Sequence, residues 1–270
     1  MKSVACTVYP VYLIAREIAS GTGLPVALLL PADLGCPHNY SLTPADMARL
    51  ERATVILANG LGFEPFLGRL AEAGFKDRIR EVAPASARAL EHGEGLNPHL
   101  FTTPAGVSAM SDRIAGEITA LFPAEAAAPV RRRAEALRTR LAAIAGEWKA
   151  LSERLRGIPV LITHDSLEYI AEAFGLEIVG RLESDDGHEH SAHSRLEIEK
   201  TIRDRHPRAI LSDRSGQNDE LDALGREHNL PVIGLPTLTS GPADAAPDAL
   251  EASLRTIASG LEPLTAIPAR

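Results

Sequence analysis

The sequence predicts an α/β protein of two lobes, each a parallel sheet flanked by helices, joined by one long linker helix. Three observations carry this reading. Short runs rich in Val, Ile and Leu alternate with stretches of helical period, the pattern of parallel strands with crossover helices. The rhythm breaks off near residue 124 and restarts near residue 157. The interruption is itself a helical stretch of about 30 residues, some 45 Å long, enough to run the length of a domain. The expected division is therefore an N-terminal lobe over 1–123, a linker helix over 124–156 and a C-terminal lobe over 157–270.

In order, residues 3–8 read as the first strand. Residues 10–19 read as a helix with Val11, Leu13, Ile14 and Ile18 facing inward. Residues 24–30 are a second, buried strand ended by Pro31. After a loop, Thr43 reads as an N-cap with Pro44 at the first helical position and Met47 and Leu50 on one face, opening a helix over 44–52. Residues 53–58 form a third strand ended by Asn59-Gly60, 61–73 a helix, and 77–82 lead into a short fourth strand. A loop over 91–104 precedes a helix over 105–121. In the linker helix, Val130, Ala134, Leu137, Leu141, Ile144, Trp148, Leu151 and Leu155 form the apolar stripe, with Arg131 to Arg133, Glu135, Arg138 and Arg140 on a solvated face. The second half repeats the rhythm, with strands over 158–163, 178–182, 209–212 and 231–234. Helices cover 166–174, 194–205 and 219–228, and Asp248 opens a last helix over 249–261.

The chain has 270 residues, 45% hydrophobic and 24% charged, ordinary values for a globular protein with a sizeable core. A formal net charge of −8 argues against a nucleic-acid surface. No apolar run approaches the length of a membrane span. The N-terminal apolar stretch is cut by Pro10 and followed by Arg16-Glu17, unlike a signal peptide, which implies a cytosolic protein or a mature form without its leader. Two cysteines, Cys6 and Cys36, are too few for a structural zinc cluster. A bridge between them would close a loop of about 30 residues, worth roughly 3 to 4 kcal/mol. The alternative is a buried thiol in the first strand and an unrelated loop thiol.

The chemistry concentrates at strand-end loops, where open α/β sheets place ligands. His38 lies between the second strand and its helix, and His99 occupies a second Pro-His step just before a Thr-Pro helix start. His164 stands where the strand over 158–163 ends. Three imidazole nitrogens plus one carboxylate oxygen from late in the chain suit zinc, and the carboxylate offsets the dication's charge. His92, His206 and His228 read as surface or capping residues. There is no Gly-x-Ser-x-Gly elbow, Walker loop or complete dinucleotide fingerprint.

These residues sit in recognisable motifs. Pro37-His-Asn-Tyr-Ser-Leu-Thr-Pro-Ala-Asp46, Asn59-Gly-Leu-Gly-Phe-Glu-Pro-Phe66, Asn97-Pro-His-Leu-Phe101 and His164-Asp-Ser-Leu-Glu-Tyr-Ile170 resemble the motifs of the zinc and manganese solute-binding proteins of ABC transporters, cluster A-I, over nearly the whole chain. The resemblance implies two α/β lobes joined by a single helix with a divalent metal between them, and delivery of that metal to a membrane permease. The protein would be extracytoplasmic, periplasmic or membrane-anchored, monomeric, and not an enzyme. It implies His38, His99 and His164 as ligands, with an acid near the last helix as the fourth. Asp248 fits that place, although Leu250 stands where the family has an aromatic; Asp244 and Asp213 are the alternatives. A His at position 164, where manganese-selective relatives carry Glu, favours Zn2+ over Mn2+. Cys36 is either an extra thiolate ligand, half of a disulfide or a packing residue. His188, His190 and His193 form a short His-rich loop, either a metal collector or a plain exposed loop. A metal-dependent hydrolase using the same three histidines is the competing reading, and it needs an open coordination position and a general base.

Overall fold

The computed structural model describes residues 2–37, 40–84, 90–92, 95–182, 192–213 and 219–266. The chain packs into two compact units, Met1–Ala143 with Leu238–Ala252, and Ile144–Thr237 with Ser253–Arg270.

In the first unit the elements run β1 (Val4–Cys6), α1 (Tyr9–Ala19), β2 (Val26–Leu28), α2 (Pro44–Glu51), β3 (Val55–Ala58), α3 (Leu67–Leu70), β4 (Ile79–Glu81), β5 (Glu91–His92), β6 (Gly95–Leu96) and α4 (Pro104–Thr119), leading into α5 (Ala128–Leu155). The sheet order is β2-β1-β3-β4, all parallel, with Cys6 opposite Leu28 and Leu57. β3 is buried along its whole length, as its unbroken apolar run requires. Helix α1 turns Val11, Ile14 and Ile18 into the core and packs on α4, which buries Val107, Met110, Ile114 and Ile118.

Two expectations change here. The helix read over 61–73 begins as α-helix only at Leu67, because Gly60, Leu61 and Gly62 all take positive φ, 85°, 56° and 79°. A side chain at Gly60 would also strike Glu81, its Cβ 2.4 Å from the carboxylate. The β5-β6 hairpin, pairing His92 with Gly95, was not foreseen in the loop over 91–104.

The second unit contains the end of α5, then β7 (Pro159–Ile162), α6 (Glu168–Phe174), β8 (Glu177–Arg181), α7 (Ala192–Arg205), β9 (Ile210–Asp213), α8 (Asp219–His228), β10 (Val232–Leu235) and the end of α9 (Ala249–Leu261). Its sheet order is β10-β9-β7-β8, again parallel. Leu161, Leu182, Ile210, Leu221 and Leu230 form one buried cluster. Trp148 stacks against Phe174 at 4.5 Å and donates its indole N–H to Leu254 O.

Residues 238–252, read from sequence as part of the C-terminal lobe, pack in the first unit. Tyr9 donates its hydroxyl to Pro242 O, Arg16 donates to Ala246 O, and Gly241 N–H donates to Ala32 O. Arg140, expected on the solvated face of α5, instead bridges Glu17 at 2.8 Å and the buried Glu251 at 2.6 Å.

Candidate metal centre

His99 has no exposed surface. Both its backbone N–H and its Nδ1 lie 2.9 Å from Asn97 Oδ1. An atom that takes a backbone N–H is the amide oxygen, an acceptor only, so Nδ1 carries the ring proton and Nε2 holds the lone pair. Metal-ligating histidines are held in this way by the nitrogen that does not bind. Phe63 and Phe101 meet the ring edge-on at 5.1 and 5.6 Å. Its carbonyl accepts from Thr102 Oγ1, and the next turn lies so close to α4 that a Cβ on Gly106 would sit 1.8 Å from Leu100 O. Only glycine allows that approach.

The end of β3 braces the same loop. Asn59 donates through Nδ2 to Pro98 O at 3.0 Å. The Glu64 carboxylate, 3% exposed, accepts from Thr7 Oγ1, from Asn59 N–H at 2.7 Å and from Gly60 N–H at 3.0 Å. Burial pushes the Glu64 carboxyl up, further helped by Glu81, while these three donors pull the other way.

His38 lies outside the described residues. The described residues on either side of it are held by specific contacts. Downstream, Asp46 closes a capping box with Thr43 and also accepts from the Tyr40 hydroxyl at 2.9 Å. Burial pushes Asp46 up, but the Thr43 and Tyr40 hydrogen bonds and the Arg49 charge outweigh it, so its carboxyl sits below the usual range. Upstream, Cys36 Sγ lies 3.4 Å from His99 Nε2. The Cys6–Cys36 disulfide is not formed. Cys6 is buried in β1, and its thiol is pushed far up by that burial.

In the second unit His164 is half-buried and follows the end of β7. Its Nδ1 lies 3.0 Å from Ser166 N and 2.8 Å from Asp165 Oδ1. The first contact needs a bare Nδ1 and the second a protonated one; in either state that nitrogen is engaged by its own loop. Thr163 Oγ1 and Ser166 Oγ are buried with no hydrogen-bond partner among the described residues. Glu168, 4% exposed, opens α6 and pairs with Arg181. Asp213 is buried at the end of β9, the strand beside β7.

Asp248 is exposed on the turn before α9, and among the described residues it does not join Cys36 and His99. Asp244 is exposed as well. His206 is exposed beyond α7, as expected, and His228 is the last residue of α8. His188 and His190 lie outside the described residues, and so does the side chain of His193.

The family model described as zinc-uptake complex component A periplasmic, ZnuA, matches residues 4–260. The chain belongs to this family. A Thermotoga maritima protein named for metal binding is 32% identical over 192 residues, 70% of this chain and 67% of that protein. The manganese-binding lipoprotein MntA of Halalkalibacterium halodurans is 31% identical over 150 residues, 53% of this chain and 49% of that protein. The matched stretches span about two thirds of the first of these curated relatives and about half of the second. The solute-binding protein FpvC of Pseudomonas aeruginosa, solved with Ni2+, superposes with a TM-score of 0.83 at 24% identity, covering 100% of this chain and 98% of FpvC. That likeness establishes the α/β fold. Membership of this zinc-uptake family makes the chain a metal-binding component of an uptake system rather than an enzyme, which sets aside the hydrolase reading. Among the described residues no helix is long and apolar enough to cross a membrane.

Proposed function

We propose that this chain captures zinc outside the cytoplasm and delivers it to the permease of an ABC transporter, with His38, His99 and His164 as ligands. The observation that carries the reading is His99: a fully buried imidazole whose proton is held on Nδ1 by Asn97, leaving Nε2 as the donor nitrogen. His164 would bind through Nε2 as well, with its Nδ1 proton held by the Asp165 carboxylate 2.8 Å away. Imidazole donors suit a borderline metal better than the harder manganese, which prefers oxygen. Membership of the zinc-uptake family and relatives named for zinc, manganese and iron binding support the same class of cargo.

The test is metal content by mass spectrometry after competition among zinc, manganese and iron. One zinc per chain is expected. Retention of manganese or iron in preference to zinc would refute the zinc assignment, and retention of none of the three would refute metal capture.

A further inference from the structure

The geometry points to Cys36 as a ligand to the captured metal, through its thiolate. This inference rests on the metal-capture reading above and adds a soft sulfur donor to it. Its first support is a distance. A tetrahedral zinc with sulfur at about 2.3 Å and nitrogen at about 2.0–2.1 Å sets those two donors about 3.6 Å apart. Cys36 Sγ and His99 Nε2 are 3.4 Å apart. One ion can therefore touch both with a shift of a few tenths of an ångström.

The second support is the direction of the lone pair. Asn97 Oδ1 takes the Nδ1 proton of His99, so the unprotonated Nε2 is the atom next to the sulfur. Without metal, that contact is a thiol donating to an imidazole. With metal, the S–H proton passes to solvent as the sulfur–metal bond forms, and Nε2 turns the same lone pair to the ion.

The third support is charge. Three neutral imidazoles leave a dication uncompensated in a place where His99 has no exposed surface. The carboxylate expected from sequence, Asp248, is exposed and apart from this pair. A thiolate supplies the missing negative charge and favours soft or borderline metals over manganese. Cys6 cannot take this role, because it is buried in the sheet core.

The test uses the full chain loaded with Co2+, whose thiolate bonds give a charge-transfer band in the near ultraviolet. We expect that band in the wild type, its disappearance on adding zinc, its loss in Cys36→Ser with cobalt still bound, and its persistence in Cys6→Ala. Alkylation by iodoacetamide needs no variant: one equivalent of zinc should protect Cys36 in the native wild-type chain. Cobalt bound without the band, a band that survives in Cys36→Ser, or equal alkylation with and without bound zinc would overturn the assignment of Cys36 and leave metal capture standing. A wild-type chain that binds neither cobalt nor zinc would overturn both.

Discussion

His99, after the β5-β6 hairpin of the first unit, and His164, after β7 of the second, are held differently. In the first unit His99 is sealed: no exposed surface, two phenylalanine rings against it, an amide oxygen on Nδ1, and a loop braced by Asn59 and Glu64. In the second, His164 is half-buried, and its partners are the next two residues of its own turn. The buried glutamates differ as well. Glu64 is held by a hydroxyl and two backbone N–H groups, whereas Glu168 is paired with an arginine. Preorganisation is unequal: one imidazole is fixed by buried partners, and the other mainly by local turn geometry.

This inequality can be broken by substitution. His99→Ala should cause the largest loss. If four ligands share about 10–16 kcal/mol of zinc binding, losing one costs at least a hundredfold in affinity. Calorimetric titration checks it, with circular dichroism to confirm the fold, and a smaller loss is expected for His164→Ala. Equal losses would remove the contrast drawn above. Next, Glu64→Leu strands the N–H groups of Asn59 and Gly60 in the interior, at about 1–3 kcal/mol each, and urea unfolding should register roughly 2 kcal/mol or more. Asn97→Ala strands the buried N–H of His99, at about 1–3 kcal/mol of stability, and should also weaken zinc binding about 10–100-fold, because the tautomer of His99 is no longer held. Unchanged affinity would mean that the ring orients itself without Asn97.

The smallest effect concerns the loop that carries His38. Asp46→Asn weakens the capping box and should cost about 1 kcal/mol near neutral pH. The sign of the pH dependence follows from the lowered carboxyl of Asp46. Its folded value lies below the ordinary one, near 4. The stabilisation is present above the ordinary value and is lost as pH falls through the lowered one. Parent and variant should therefore converge in acid and separate toward neutral pH; curves that stay parallel would show that the charge of Asp46 contributes nothing.

Where physics is local, the sequence was readable. Thr43-Pro44 and Thr103-Pro104 start α2 and α4 where N-cap chemistry puts them, and the buried strands read as continuous apolar runs. The helix over 61–73 was misread because its apolar spacing hid Gly60 and Gly62, which the chain uses to bring Glu64 under β3. The docking of residues 238–252 on the first unit depends on Tyr9, Arg16 and Arg140, partners more than 100 residues away, and no periodicity encodes that. The Asn97 clamp had a local signal, an Asx side chain two residues ahead of its own partner. The meeting of Cys36 with His99, 63 positions apart, had none.

X-ray absorption at the zinc edge, on the chain loaded with one zinc, reads the donor atoms themselves. Outer-shell scattering from three imidazole rings is expected, and with it a sulfur neighbour at about 2.3 Å. A shell of oxygen donors without imidazole scattering would contradict the histidine ligands.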